Sequence, residues 1–483
     1  MLDPRESPTH PALGFLYGRI DYERTPPASA REFKLHVMRT LLERLGNPQA
    51  DQRIVHVAGT KGKGSTASML ASVLRQAGLR TALYTSPHLE AIEERLAVDG
   101  QPCTREEFVE LVELVRGPVE ELDREAAQAG LAGGGPTFFD IVTAVALLHF
   151  QRRGCDATVL EVGLGGRLDS TNICRPAVSV ITTISLDHTQ QLGSTLALIA
   201  GEKAGIIKPG VPVVSGVIPN EPRQVIHETA RRIGAPLTAI LDDFGYDESI
   251  SEAVERSAEP SATNAVPPTR LNYWEKTTSG IVRWPNVAVG LRGSHQALNA
   301  AIALATLERL RAAGWNLPES AVRRGLETVT CPARVEIVGH RPTVILDAAH
   351  NVASIEALLE VLRRDFAKQP RLCVFAVNRD KDVPGILERL LPAFPQVIVT
   401  QFHNSPRGVP VDELASLARQ LAPPTTQILV APDTRQAWLT AQQLATPDHL
   451  ICCTGSFFLA AEMRPLLSVA GSDVEPRGDL KQS

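Results

Sequence analysis

The sequence lacks several features that would each point to a particular class of protein. It has seven cysteines, an odd number, and no two stand in a CxxC spacing, so neither a disulfide framework nor a zinc knuckle is expected. No apolar run approaches the roughly 18 residues of a membrane span. The formal net charge of −5 gives no general attraction to nucleic acid or to an anionic membrane. Any anion site must therefore be local.

The first residues and the length of the chain set further expectations. Met1–Glu6 are not a basic segment followed by an apolar stretch, so we expect no signal peptide. A cytoplasmic location follows, where reducing conditions suit scattered thiols. The 483 residues exceed one ordinary core, so two domains are expected, in a chain that we take as a monomer by default.

The most informative stretch runs from Arg53 to Thr66. An apolar run, Ile54–Ala58, ends in a glycine-rich turn, and a helical pattern, Ser65–Gln76, follows at once. A strand, a glycine loop and a helix N-terminus in this order form an anion cradle, because bare backbone N–H groups and the helix dipole both attract negative charge. The stretch predicts binding of a nucleoside triphosphate.

The match to a Walker A loop is imperfect. Val57 stands where that pattern requires glycine, and Gly64 stands where it requires a hydroxyl, which comes one residue later at Ser65. The offset indicates a variant P-loop rather than an ordinary GTPase or kinase loop. The alternative is a glycine-rich turn before a helix that binds nothing.

Short apolar runs alternate with helical patterns, which favours a parallel sheet covered by helices on both faces. In such sheets ligands lie beyond the carboxyl ends of the strands. The predicted strands are 53–58, 80–85, 157–162, 178–184 and 211–216, with helices at 64–77, 105–116 and 137–153.

A second alternating block predicts a second α/β domain. Its strands are expected near 343–347, 371–377, 396–400 and 450–453. The predicted domains are 1–297 and 298–470, followed by a loose polar tail, 471–483. Residues 242–280 are a polar insertion, whose middle is expected to be a poorly ordered surface excursion. Regular structure is expected to resume at Leu291.

Charged side chains follow the predicted strands. Glu161 comes near the end of an apolar strand, where a carboxylate is costly unless it is paired or binds a metal. Next to a triphosphate it is a natural Mg²⁺ ligand, although a surface pair with an arginine is the alternative. A glycine loop carrying Arg167 and Asp169 follows, and both are candidate substrate contacts.

Three further candidates lie near the same sheet edge. His188 directly follows a strand and suits a ligand or an acid–base group, although a lone histidine is often structural. Lys203 lies in an otherwise apolar helix, where a snorkelling surface lysine is the alternative. Ser86, after the second strand, is placed to reach the phosphate side, unless its segment is a simple turn.

The second block repeats the pattern. Asp347 and His350 follow a predicted strand, with Arg334 upstream, and a polar patch, 294–299, lies near the predicted junction. Polar groups at the strand ends of both halves predict one site in the cleft between them.

Taken together, these segments resemble the folylpolyglutamate synthases, which are ATP-dependent amide ligases related to the Mur ligases. The loop 59–66 is similar to their GTNGKGS loop, and the likeness covers nearly the whole chain except 242–280 and the tail. The other matching strings, in chain order, are LERLGNPQ, LEVGLGGRLDSTN, SLDH, EKAGIIK, GSHQ..NA, DAAHN, RDKD and TGS.

The resemblance implies an ATPase-like first domain and a smaller Rossmann-like second domain. It also implies a reaction in which ATP converts the carboxylate of a pteroate or folate into an acyl phosphate, which the amino group of L-glutamate then attacks. Such a reaction needs no protein nucleophile, only the gathering and charge neutralisation of anionic reactants.

The resemblance also implies residue roles. Lys63 and the loop N–H groups would hold the β- and γ-phosphates, Ser86 and Glu161 one Mg²⁺, and His188 a second metal, helped by a carbamylated Lys203. Ser456 would contact glutamate. The residues implied to contact ATP are Gly59, Thr60, Lys61, Gly62, Lys63, Gly64, Ser65 and Thr66 in the loop, with Asn299, Arg334, Asp347 and His350 from the second domain.

Three departures from the family pattern and two alternatives remain at this point. One departure is the unusually polar insertion at 242–280. Lys61 replaces the common asparagine of the loop and adds positive charge there, and Ala348 replaces the usual glycine of DGAHN. One alternative is a Mur-type ligase that adds an amino acid to a peptidoglycan precursor. The other is a non-catalytic P-loop protein, for which Glu161, His188 and Lys203 need not converge.

Overall fold

The computed structural model describes residues 10–22, 35–131, 134–248, 269–403 and 405–470. These residues form two compact units, the first ending at Thr330 and the second beginning at Cys331. The predicted tail and the middle of the predicted insertion, 249–268, lie outside the described residues.

The first unit is built on a mostly parallel sheet, as predicted. Its strands are β1 (Ile54–Ala58), β2 (Thr81–Tyr84), β3 (Leu96–Val98), β4 (Gln101–Pro102), β5 (Ala157–Glu161), β6 (Val178–Ile181), β7 (Val213–Ser215) and β8 (Leu237–Ala239). The spatial order is β4-β3-β2-β5-β1-β6-β7-β8. Strands β2 and β5–β8 run parallel with β1, whereas β3 and β4 form an antiparallel edge.

Helices cover both faces of this sheet, which confirms the fold prediction. They are α1 (Pro11–Tyr17), α2 (Leu35–Arg44), α3 (Lys63–Gln76), α4 (Arg105–Gln128), α5 (Phe138–Arg152), α6 (Thr189–Leu192), α7 (Leu196–Ala204), α8 (Asn220–Ile233), α9 (Ser294–Ala312) and α10 (Glu319–Glu327). Helices α1, α2, α4 and α5 share one apolar core with the sheet, and α7 and α8 share another. Helix α3 packs on β1, β2 and β5, with α9 and α10 beside it.

The predicted domain boundary between 297 and 298 is wrong. Helix α9 is buried on most of its surface, and it packs on α3, β6 and β7. Helix α10 also packs on α3, where the hydroxyl of Ser72 donates to the carbonyl of Gly325 at 2.8 Å. Both helices therefore complete the first unit, and the polar patch that suggested a junction is an internal part of it.

The prediction that regular structure resumes only at Leu291 is wrong. Strands β9 (Phe244–Glu248), β10 (Thr269–Thr277) and β11 (Gly280–Val289) form an antiparallel sheet. The alternating pattern of β10 was not recognised in the sequence, because Glu275 stands on its buried face, where a carboxylate is not expected. It is fully buried there because Arg309 pairs with it and the hydroxyl of Tyr273 donates to it at 2.6 Å.

The second unit repeats the parallel architecture on a smaller scale, as predicted. Its spatial strand order runs from one antiparallel edge strand, β12 (Glu336–His340), through β13 (Thr343–Leu346), β17 (Leu450–Thr454), β14 (Arg371–Phe375) and β15 (Gln396–Val399) to β16 (Gln427–Val430). Its helices are α11 (Val352–Asp365), α12 (Val383–Leu390), α13 (Val411–Leu421), α14 (Thr434–Leu444) and α15 (Phe457–Ala470). Among the described residues of the chain, no helix has the length and apolar character that a membrane crossing requires.

Candidate functional site

The glycine loop lies between the end of β1 and the start of α3, as the sequence predicts. Gly62 caps α3 with a φ of 82°, a left-handed conformation that favours glycine. A Cβ on Gly62 would lie 2.2 Å from Oδ1 of Asn299, so a side chain there would also collide with α9. The first N–H groups of α3 have no partner within the helix and lie open to an anion.

The segment after β6 holds the loop in shape. The carbonyl oxygen of Lys61 accepts hydrogen bonds from the hydroxyls of Thr182 and Thr183, at 2.7 and 3.1 Å. The backbone N–H of Thr60 donates to the carbonyl of Thr183 at 2.7 Å. The Lys61 ammonium pairs with Asp187 at 2.8 Å. These contacts fix the backbone of the loop.

Helix α9 supports the loop from the other side. Asn299, which is 4% exposed, donates through Nδ2 to Oε1 of Gln296 at 2.9 Å. Gln296 in turn donates to the hydroxyl of Ser65 at 3.4 Å. Asn299 was expected to come from the second domain, and the structure corrects this because α9 belongs to the first unit. Gln296 was absent from the predicted site, although it stands in the GSHQ string.

Glu161 lies beside the loop, as predicted. It ends β5, directly opposite Val57 of β1, and it is 4% exposed. Its two carboxylate oxygens lie 3.6 and 3.7 Å from the position that a Cβ on Gly64 would occupy. The backbone N–H of Ser86 donates to Oε2 of Glu161 at 3.4 Å. Three predicted residues from three adjacent strand ends thus come together.

Lys203 reaches the same loop from α7. Its ammonium donates to the carbonyl of Gly59 at 2.9 Å, and the residue is 4% exposed. Burial is the main cause that lowers the pKa of Lys203 to about 7, and the positive charge of Lys63 is the second. The snorkelling alternative is therefore wrong, because the amine points inward to the loop.

His188 stands at the start of α6 with a φ of 49° and a half-exposed ring. Its Nε2 lies 3.9 Å from Oδ1 of Asp187, whose Oδ2 accepts from Lys61. In the part of the chain that the structure describes, no group of three or more His, Cys, Asp or Glu side chains is arranged to hold a metal. Asp187 was not among the predicted site residues, although it directly precedes His188.

Arg167 and Asp169 are occupied by contacts within the protein. The guanidinium of Arg167 pairs with Glu202 at 2.9 Å. Asp169 is 6% exposed, and its carboxylate accepts from the N–H groups of Leu164 and Thr171 and from the Thr171 hydroxyl. These contacts hold the loop after β5, and the substrate role of the two residues stays a prediction.

Sequence reasoning missed His56, which lies in the middle of β1 and is fully buried. Its Nε2 lies 2.8 Å from the hydroxyl of Thr171, and its Nδ1 lies 3.7 Å from Sγ of Cys174. Burial lowers the pKa of His56 to about 3, with Lys208 as the second cause. A polar residue within an apolar strand was the available signal.

In the second unit, Asp347 ends β13. Its carboxylate accepts from the N–H of Val335 and from that of Ala349, both at 2.8 Å. The Nδ1 of His350 lies 2.8 Å from the carbonyl oxygen of Ala348, which requires Nδ1 to carry the proton. Ser456 is 1% exposed and donates to Asn378 at 3.2 Å.

Comparison with known proteins identifies the family. Residues 122–307 match the Mur ligase middle domain, and residues 333–457 match the Mur ligase glutamate ligase domain. The folylpolyglutamate synthase of Lacticaseibacillus casei is 33% identical over 432 residues, which are 89% of this chain and 93% of that protein. The chain belongs to the folylpolyglutamate synthase family.

Other members of the folylpolyglutamate synthase family agree in sequence and fold. The dihydrofolate synthase/folylpolyglutamate synthase of Mycobacterium tuberculosis is 35% identical over 447 residues, 88% of either chain. The solved structure of the M. tuberculosis folylpolyglutamate synthase complexed with ADP has a TM-score of 0.79 at 33% identity, covering 94% of this chain and 97% of that one. E. coli FolC in complex with DHPP and ADP has a TM-score of 0.77 at 28% identity, covering 97% and 100%.

Proposed function

We propose that this chain is an ATP-dependent ligase that joins L-glutamate to the carboxylate of a folate or a dihydropteroate. ATP first phosphorylates that carboxylate, the amine of glutamate attacks the resulting acyl phosphate, and ADP and phosphate are released. One observation carries the proposal: in a chain of this family, Glu161 and Lys203 both lie against the glycine loop, at Gly64 and Gly59.

The loop would bind the triphosphate. Lys63 begins α3, and its ammonium has no ion-pair partner within the described ranges of the chain. Together with the N–H groups of Gly64 and Ser65 it can neutralise charge that develops on the transferred phosphoryl group. The remaining proposed ATP contacts are Thr60, Lys61, Gly62, Thr66 and Asn299 of the first unit, and Arg334, Asp347 and His350 of the second.

Mg²⁺ fits the donors beside this loop. Mg²⁺ prefers oxygen ligands and usually takes one or two carboxylates, with phosphates and waters completing its shell. Glu161 and Ser86 would hold the ion, which when bound offsets negative charge on the phosphates. The second metal, at His188, stays a prediction. An imidazole as the sole ligand suits Mg²⁺ poorly.

A carbamate on Lys203 would supply the missing oxygen ligand. The neutral amine is the form that adds to carbon dioxide, and the pKa of Lys203, lowered to about 7 by burial, keeps much of the amine neutral at physiological pH. The carbamate stays a prediction, as does the contact of Ser456 with glutamate.

The proposed function and its two alternatives predict different results in one assay. Pure protein is incubated with Mg-ATP and L-glutamate, and dihydropteroate, tetrahydrofolate or a UDP-muramyl precursor is added in turn. We expect phosphate release and a product larger by one glutamate with a pterin substrate. Release with the muramyl precursor alone would identify a Mur-type enzyme, and no release with any of the three would favour a non-catalytic protein.

A further inference from the structure

Two residues at the start of the second unit adopt an unusual backbone conformation. Ala333 has a φ of 52° and Val335 a φ of 48°. Residues with a Cβ seldom occupy this left-handed region, and for a β-branched valine it is a clear outlier. Such strain persists where the surroundings impose it, and it is concentrated at functional sites. The two residues flank Arg334.

Hydrogen bonds from three directions impose this conformation. The N–H of Ala333 donates to Oε2 of Glu336 at 2.8 Å. The N–H of Val335 donates to Oδ2 of Asp347 at 2.8 Å. The N–H of Ala348 donates to the carbonyl of Ala333 at 3.0 Å. Two carboxylates thus hold a turn that glycine would adopt without strain.

Glu336 is itself held in place. Arg464 of α15 donates to both of its carboxylate oxygens, at 2.6 and 2.8 Å. The two side chains are 25% and 24% exposed, so the pair is partly shielded from water. A bidentate pair of this kind fixes orientation as well as distance. The position of the turn therefore depends on a contact between β12 and α15.

The turn presents a guanidinium with unused donors. Arg334 is partly buried, and within the described part of the chain its side chain makes one hydrogen bond, from Nη1 to the carbonyl of Ala333 at 3.0 Å. A guanidinium carries five N–H donors. The strained turn thus fixes the base of the side chain while most of its donors remain available for an anion.

We propose that Glu336 is a positioning residue: held by Arg464, its carboxylate keeps the Ala333–Val335 turn left-handed and so sets the guanidinium of Arg334 for an anionic group of the nucleotide. The inference rests on the proposed function, in which Arg334 contacts ATP. Asp347 takes the same part from the other side of the turn, since both of its oxygens accept from the backbone.

The test is the affinity of the full chain for Mg-ADP, measured by calorimetry, with KM for ATP and kcat measured in parallel. Glu336→Ala should weaken ADP binding about tenfold, because a misplaced group loses much of its contribution. KM for ATP should rise with little change in KM for glutamate. Glu356→Ala is the matched control, because Glu356 pairs with Arg389 at 3.1 Å in the same unit but holds no strained turn.

Two double variants separate positioning from general stability. Glu336→Ala should add little to Arg334→Ala, because both act through one guanidinium. Val335→Gly in the Glu336→Ala background should recover part of the affinity, because glycine adopts the turn without being held there. Should Glu336→Ala fail to fold, Glu336→Gln keeps the acceptor for Ala333 but weakens the charged grip of Arg464, and about a threefold loss is expected.

The proposal is overturned if Glu336→Ala and Glu336→Gln bind ADP as the wild type does, if Arg334→Ala has no effect, or if the two losses multiply independently. Failure of the proposed function looks different. In that case the wild type binds ADP without glutamate-dependent phosphate release, and the effect of Glu336 on ADP binding is still measurable.

Discussion

Two glycine-rich loops follow neighbouring parallel strands of the first unit, and they differ in whether their charged side chains are paired within the protein. The loop after β1 carries Lys61 and Lys63, and the loop after β5 carries Arg167 and Asp169. In the first loop the Lys63 ammonium has no ion-pair partner among the residues described. In the second loop both charges are engaged, Arg167 by Glu202 and Asp169 by backbone and hydroxyl donors.

The difference shows that glycines and charges at a strand end do not by themselves reveal whether those charges are paired within the protein. A loop can bind an external anion when its own protein leaves donors unused. A loop whose charges already have internal partners would have to lose those contacts first. The loop after β5 contacts α7 through Arg167 and Glu202, while the loop after β1 contacts the nucleotide in our proposal.

We expect the largest effect on the rate from substitution of Lys63. Lys63→Ala should lower kcat/KM for glutamate-dependent phosphate release by about 100-fold or more, because loss of one donor aimed at developing charge costs roughly 10²–10³. Arg167→Ala, the counterpart in the other loop, should change the rate less than about twofold, because exposed ion pairs contribute little. Equal losses of rate in Lys63→Ala and Arg167→Ala, each with the melting curve of the wild type, would mean that the two loops do not differ in this respect.

The second loop should instead affect stability. Asp169→Ala leaves two backbone N–H groups and the Thr171 hydroxyl without their acceptor, so the free energy of unfolding should fall by about 1–3 kcal/mol. Urea denaturation measures this change. Glu202→Ala is the control, since it removes an acceptor of an exposed pair and should cost below about 1 kcal/mol. A stable Asp169→Ala protein with a large loss of rate would return Asp169 to the substrate site.

Protonation of His56 should lower the free energy of unfolding at acid pH. Its folded pKa of about 3 lies below the ordinary value of 6.5, so the unfolded chain binds the proton more readily between these values. The contribution of His56 to the free energy of unfolding is then fully present above pH 6.5 and is lost as the pH falls. At pH 5.5 the loss is about 1.4 kcal/mol.

Denaturation at a series of pH values tests this expectation. His56→Gln should remove most of the decrease in the free energy of unfolding between pH 7 and pH 5. A smaller decrease should remain from the buried His149, whose pKa is also lowered by burial. An unchanged decrease in His56→Gln would mean that the ring is not held neutral against Thr171.

The smallest effect is expected where the first loop does have a partner. Lys61→Asn breaks the pair with Asp187, whose side chains are 37% and 18% exposed. Such a pair contributes about 0–1 kcal/mol, so KM for ATP should change by no more than about fivefold, and less at high salt. Asp187→Asn is the matched variant. A loss as large as that of Lys63→Ala would place Lys61 among the essential phosphate contacts.

Much of the fold followed from local pattern. The predicted strands near 53–58, 157–162 and 371–377 correspond to β1, β5 and β14, because buried parallel strands are short, apolar and separated by helices. Residues 269–289 escaped prediction, because the buried Glu275 interrupts the alternating pattern of β10 and its partners Arg309 and Tyr273 are recognisable only in three dimensions.

The site divides in the same way. The sequence predicted that Ser86, Glu161 and Lys203 gather at the loop, since each stands at a strand end or in a matching string. Gln296 and Asp187 also stand in matching strings, but they were not among the predicted site residues, because their contacts with Ser65 and Lys61 depend on how α9 and the end of β6 pack.

By itself the sequence determined the order of the central parallel strands and their helices, the glycine loop and the family, because these depend on neighbours in the chain. The tertiary structure decided where the first unit ends, which charges remain available for a ligand and which are used internally. The reason is that burial and pairing are properties of contacts between distant segments, and those contacts set whether a charged side chain supports the fold or is free to bind.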